Sequence, residues 1–186
     1  MSDVHEQMEY AEHAKHAAHA SKQIALLIAV LALFLAVSEM LGKSANTEAL
    51  TLNINVSDTW NQYQAKTIRR TLVQTVAEEM RVGPASDAAK AQIAKLESEA
   101  ERYESEPKDG RKDLRKKAEA LEHERDTAFA RYHNYEFASA AFQIGIVLCS
   151  AAVITGMLLL AWTAGGVAVL GLVFVSLGLF APHLLH

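Results

Sequence analysis

The chain has 186 residues, 51% hydrophobic and 22% charged, with 18 Lys and Arg against 22 Asp and Glu and a formal net charge of −4. There is no basic surplus to neutralise phosphates, so nucleic acid is not an expected partner. The single cysteine, Cys149, excludes a disulfide framework within the chain.

These averages hide a strong segregation. Three apolar runs, at 24–41, 138–161 and 167–181, flank a block from 43 to 136 that holds sixteen Lys or Arg and seventeen Asp or Glu. A bilayer core about 30 Å thick needs roughly 20 apolar residues at about 1.5 Å rise each. Backbone polar groups in lipid must be satisfied within helices. The expectation is an all-α membrane protein with three transmembrane helices and an antiparallel helical hairpin, a coiled-coil-like arm, inserted between the first and second.

In chain order, residues 1–22 form a His- and Glu-rich segment. His5, Glu9, Glu12, His13, His16 and His19 recur at three- and four-residue steps, so a helix would align them. Imidazoles at that spacing can share a zinc, nickel or copper ion, which makes His13, His16 and His19 candidate metal ligands. The plainer reading is a solvated, fraying helix leading into the membrane.

Residues 23–42 read as the first span. An acidic flank precedes the run, and Ser38, Glu39 and Met40 lack the small-x-small pattern of a cleaved signal, so an uncleaved anchor is expected. Glu39 is the one carboxylate in an apolar run, with Lys43 at the favourable i,i+4 position.

Residues 43–137 are the polar arm. Trp60, Gln64, Ile68, Leu72, Val76 and Met80 repeat at i,i+4, which sets them as the expected seam of the first arm helix. Residues 50–56 alternate apolar and polar like a strand, but a lone strand has no partner, so helix is preferred. A tip is expected near 83–86, at Gly83 and Pro84, with Ser86 and Asp87 capping the next helix. Ala89, Ile93, Leu96, Ala100 and Tyr103, then Leu114, Ala118, Leu121, Ala128, Tyr132 and Tyr135, continue a stripe at steps of four and three, with Arg125 filling one stripe position. Pro107 and Gly110 interrupt it, near 107–110, as either a kink in a long hairpin or a full turn in a three-helix bundle. Trp60, Tyr63 and Lys66 are candidate interaction residues. His123 with Glu119, and His133 with Glu136, are read as surface pairs.

Residues 138–161 and 162–183 read as the second and third spans, turning at Trp162, Thr163, Ala164, Gly165 and Gly166. Ala141, Gly145, Ala152 and Gly156 are small enough for helices to approach closely, so Gly145, Ala152 and Gly156 are candidate packing positions. Three spans place the termini on opposite sides of the membrane, and Lys15 and Lys22 favour a cytoplasmic N-terminus.

Residues 57–69 read S-D-T-W-N-Q-Y-Q-A-K-T-I-R. That string resembles the signature of a bacterial family of small membrane proteins, domain of unknown function 4337. The likeness extends to the acidic, His-containing N-terminus and the Glu/Lys-rich middle. It also covers Phe137, Ala138, Ser139 and Ala140 with Gln143, Ile144, Gly145 and Ile146 at the entry to the second span. Family members often carry basic residues between the last two spans, where this chain has none. The resemblance implies the architecture and a bacterial inner-membrane address, but no activity.

No phosphate-binding glycine loop, nucleophile elbow or metalloprotease string is present, so neither an enzyme nor a cofactor is expected. The leading functional expectation is a membrane-anchored scaffold or interaction protein, acting as a homo-oligomer or with other membrane proteins. The alternatives are a metal-responsive sensor or carrier and an oligomeric channel component.

Overall fold

The computed structural model describes residues 2–185, with side chains from 22 to 184. These residues form four α-helices, α1 (Ser2–Val82), α2 (Asp87–Ser105), α3 (Arg111–Thr155) and α4 (Leu158–Phe180), and a short 3-10 helix at Pro182–Leu185. No strand occurs among the described residues, and the alternating stretch at 50–56 is helical. The helix is not interrupted there because residues 43–82 contain neither glycine nor proline. It stops at Gly83 and Pro84, where proline disfavours the α conformation of the residue before it.

Three helical segments are long and apolar enough to cross a membrane: Lys22–Val82, Arg111–Thr155 and Leu158–Phe180. The chain divides into two compact units, residues 1–46 with 127–186, and residues 47–126.

The first unit is built on α3, whose buried residues Tyr135, Ala138, Phe142, Gly145, Cys149 and Ala152 alternate at three and four. From α1, Phe34 stacks on Phe142 with ring centroids 5.7 Å apart, and Leu31 joins the same core. A Cβ on Gly145 would stand 3.2 Å from Leu31 Cδ1. From α4, Ala164, Gly171 and Gly178 are buried at steps of seven. The outward residues of this unit, Leu26, Leu33, Val147, Ile154 and Leu159 among them, are exposed and apolar. So much exposed apolar surface is foreign to a water-facing monomer and suits lipid.

The turn between the last two apolar helices lies at Gly156 and Met157, not at Trp162, Thr163, Ala164, Gly165 and Gly166, which run inside α4. Gly156 adopts φ +69° and its N–H bonds Ala152 O at 2.9 Å, while Met157 N donates to Thr155 Oγ1 at 3.3 Å. A tight reversal needs a left-handed residue, which glycine supplies without strain. Two glycines inside a helix cost only about 1 kcal/mol each. The shift lengthens the last apolar helix to 23 residues. At about 1.5 Å per residue that exceeds the bilayer core.

Near the middle of α3, Asn134 Nδ2 donates to Ala130 O at 2.9 Å and to Pro182 O at 3.1 Å. Thr127 Oγ1 lies 2.9 Å from His183 Nε2. These bonds fix the 3-10 helix against α3. Glu39, for its part, accepts a bond of 3.4 Å from the Gln143 amide.

In the second unit the buried stripe of α1 is Ala49, Val56, Thr59 and Ala77, with Tyr63, Lys66 and Arg70 partly buried along it. The i,i+4 series expected as the seam is displaced: Ile68 is 69% and Leu72 62% exposed. A strict four-residue step advances 400° per repeat and so drifts around the helix, whereas steps of three and four hold one face.

Ser86 caps α2 by accepting from Ala89 N at 3.1 Å. The segment 106–110 closes tightly, with Gly110 N bonding Glu106 O at 2.7 Å. A Cβ on Gly110 would fall 2.7 Å from Glu106 backbone atoms, so only glycine fits.

Candidate functional site

The densest polar constellation in the second unit gathers around Arg111, the first residue of α3. Its guanidinium spreads across three neighbours. Nε donates to Thr67 Oγ1 at 2.9 Å, Nη2 to the Tyr63 hydroxyl at 2.9 Å, and Nη1 to Glu104 Oε2 at 2.7 Å. Its carbon also sits 5.0 Å from the Tyr63 ring centroid. A planar fork with several fixed donors can satisfy such a set at once, which a lysine cannot. Thr67 is held in turn by its own bond to Tyr63 O at 2.8 Å.

The Glu104 carboxylate is shared. Arg70 Nε pairs with the same Oε2 at 3.3 Å by charge alone, its buried N–H making no hydrogen bond. One turn earlier on α1, Lys66 pairs with Asp109 and, at 3.5 Å, with Glu106. Its ammonium also lies 5.6 Å from the Tyr103 ring. The hydrogen bond to Asp109, helped by the charges of Asp109 and Glu106, holds the Lys66 pKa above its ordinary value of 10.5 against the opposing effect of burial. Three cations, Lys66, Arg70 and Arg111, thus meet three anions, Glu104, Glu106 and Asp109, in a balanced cluster. Such a cluster ties backbone segments together because each charge is partnered.

The candidate interaction residues divide between two places. Tyr63 and Lys66 enter this cluster. Trp60 stands beside it, its ring edge-on to Tyr63 with centroids 5.4 Å apart and its indole N–H donating to Glu122 Oε1 at 2.9 Å. Toward the end of α1, Arg81 pairs with Glu97, and a polar cleft of about 140 Å³ opens beside Arg70, Ala77, Arg81, Glu97 and Ala100. As residue numbers fall along α1 from Arg81 through Arg70 and Tyr63 to Trp60, their partners rise through Glu97, Glu104, Arg111 and Glu122. Arg70, Glu104, Asp109 and Arg111 belong to no motif. The one hint is the charge crowding on both sides of Pro107, where a break in the helix turns side chains back toward α1.

Of the packing candidates, Gly145 is in close contact and Ala152 is buried. Gly156 does not pack, since a Cβ there would meet nothing within 4 Å and its role is the turn. The close approaches that small residues permit are at Gly171 and Gly178 instead. The side chains of His13, His16 and His19 lie outside the described residues. Among the described residues, no group of three or more His, Cys, Asp or Glu is placed to hold a metal ion. Farther along, His133 Nδ1 lies 3.6 Å from Glu136 Oε2. In the first unit, an apolar cleft of about 310 Å³ is lined by Gln23, Ile24, Leu27, Leu158, Ala161 and Trp162.

A family model described as Domain of unknown function (DUF4337) matches residues 20–181. No curated protein and no solved structure matches the chain.

Proposed function

This chain belongs to the family of Domain of unknown function (DUF4337), and from that premise we propose that it is a non-catalytic, membrane-anchored helical scaffold of the bacterial inner membrane. Its three apolar helices cross the bilayer, and α1, α2 and α3 form an antiparallel arm that works by protein–protein contact. The observation that carries this reading is the Arg111 cluster. The most concentrated chemistry of the polar unit is spent on binding its own helices to one another, with each charge partnered.

Two features support the membrane part. The apolar helices present exposed Leu, Ile and Val outward. Trp162 is exposed beside Gln23, where α1 becomes apolar. Tryptophan at such a boundary suits the headgroup region. With three crossings the termini lie on opposite faces, the N-terminus toward the cytoplasm, and the arm shares the side of the C-terminus.

Alkaline washing of bacterial membranes, together with reporters fused before Met1 and after His186, tests the reading. The protein is expected to stay with the membrane, and the two reporters to label opposite faces. Release by alkali, or both reporters on one face, would refute the three-span scaffold. Purification from native membranes with identification of co-purifying chains then separates self-association from a foreign partner.

A further inference from the structure

Leu50, Ile54, Ile68 and Leu72 are 52%, 62%, 69% and 62% exposed, and of the Leu and Ile side chains in the second unit's stretch of α1 only Leu52, on the seam side, is partly buried. They are not scattered. At about 100° per residue, all four fall within about 20° of the direction of Asn61, which is exposed at their centre. The seam through Val56, Thr59, Tyr63, Lys66 and Arg70 occupies the opposite side of the helix. α1 therefore has two faces, one satisfied within the chain and one not.

The open face has a specific pattern. Ile54, Asn61 and Ile68 are spaced by seven, with Leu50 four residues before the first. Ile54, Asn61 and Ile68 take one core position of the heptad, and the other is Leu50 followed by the smaller or polar Ser57, Gln64 and Thr71. A single asparagine among β-branched residues at the first position specifies a two-stranded register. The register is fixed because the asparagine amides of the two strands satisfy each other only when level.

Charge points to the same occupant. Residues 50–72 contain four charged side chains in twenty-three, two of them, Lys66 and Arg70, on the seam side, whereas residues 87–126 contain twenty-two in forty. Parallel pairing of identical strands in register sets each core residue beside its own copy, so a charge at a core position meets a like charge. Only a charge-poor face tolerates that, and depletion of charge is also what the centres of protein interfaces have in common.

We infer that this face of α1 is the contact surface for a second copy of the chain, forming a parallel two-stranded dimer centred on an Asn61 pair. The inference rests on the scaffold reading above in one respect: two copies anchored in one bilayer leave it in the same direction, as parallel pairing requires.

Single cysteines test it, in the full-length protein, in native membranes, on a Cys149→Ser background. Under mild oxidation, Ile54→Cys, Asn61→Cys and Ile68→Cys each give disulfide-linked dimers. Asn55→Cys, Gln62→Cys and Arg69→Cys, one residue further round the helix, give at most about a tenth of that yield. Equal yields in the two sets, or no dimer at Asn61→Cys, would overturn the inference and leave the face to lipid or a foreign protein. The double variant Ile54→Glu with Ile68→Glu, whose sites are solvent-facing, keeps its helical content and loses dimer by about tenfold or more. A fully dimeric double variant would place self-association elsewhere, ending this inference without touching the scaffold. Release of the protein by alkali would end the scaffold reading, whatever the crosslinks report.

Discussion

Gly171 of α4 lies flat against the ring of Phe142 on α3, so close that a Cβ would stand 2.7 Å from Cε1. Gly178 stands in the same relation to Tyr135, with its Cβ position 2.7 Å from Cε1. Both contacts are between ring and backbone, the kind of close approach that drives helix association where lipid offers no hydrophobic gain.

Alanine at these two positions should therefore destabilise the protein, by about 1–3 kcal/mol each, because a methyl is forced into a filled site. Gly165→Ala and Gly166→Ala meet nothing within 4 Å and lie in the body of α4. They should be neutral or stabilising by about 0.5–1 kcal/mol. Thermal unfolding in mild detergent distinguishes the pairs, and equal effects at all four positions would contradict the packing described.

Arg111→Lys should cost about 1–3 kcal/mol, since one ammonium cannot replace the bonds to Thr67, Tyr63 and Glu104. Arg115→Lys, in an exposed pair with Glu119, should leave stability unchanged. A double-mutant cycle between Arg111→Lys and Tyr63→Phe should show coupling, because each removes the other's partner. Strict additivity would mean the cluster is not formed in solution.

Lys66 sets a pH dependence with a definite sign. Its folded pKa is raised above the ordinary 10.5, chiefly by Asp109. The stabilisation is fully present below the unfolded value and is lost as pH rises through the folded one. Between about pH 9 and pH 12 the wild type should lose stability more steeply than Lys66→Met, tyrosine ionisation being common to both. Parallel unfolding curves for the two proteins would show that Lys66 has no partner.

Ala77 and Ala100 are buried and line the same cleft. On a Cys149→Ser background, Ala77→Cys with Ala100→Cys should therefore form a disulfide within one chain, seen as a mobility shift without a change in mass. Bonds formed only between chains would replace the intramolecular arm with an intermolecular coiled coil.

Much of the fold was legible because length and composition determine it. Three apolar runs, the stop at Gly83 and Pro84 and the cap at Ser86 each follow from local chemistry. Two placements did not follow. Paired glycines at Gly165 and Gly166 signal a turn more loudly than the single Gly156, yet only Gly156 has Thr155 to bond the next N–H. On α1 the large residues Ile68 and Leu72 suggested the seam, whereas the buried face is built from Thr59, Lys66 and Arg70. Polar residues can take seam positions when partners across the seam neutralise them, and Glu104, Glu106 and Asp109 are more than thirty residues away in sequence. Of the site, Tyr63 and Lys66 were recognisable as chemistry-bearing, and Arg111 was not.

The spacing of ring and notch on α3 and α4 has a mechanical consequence. Tyr135 and Phe142 are seven residues apart, as are Ala164, Gly171 and Gly178. Displacing α4 along α3 by one or two residues drives an aromatic ring into a branched side chain. Displacing it by seven, about 10 Å, brings Phe142 to Ala164 and Tyr135 to Gly171. The pair behaves as a ratchet with teeth a heptad apart: α4 resists creeping under lateral load, and if it yields at all it does so by a whole tooth.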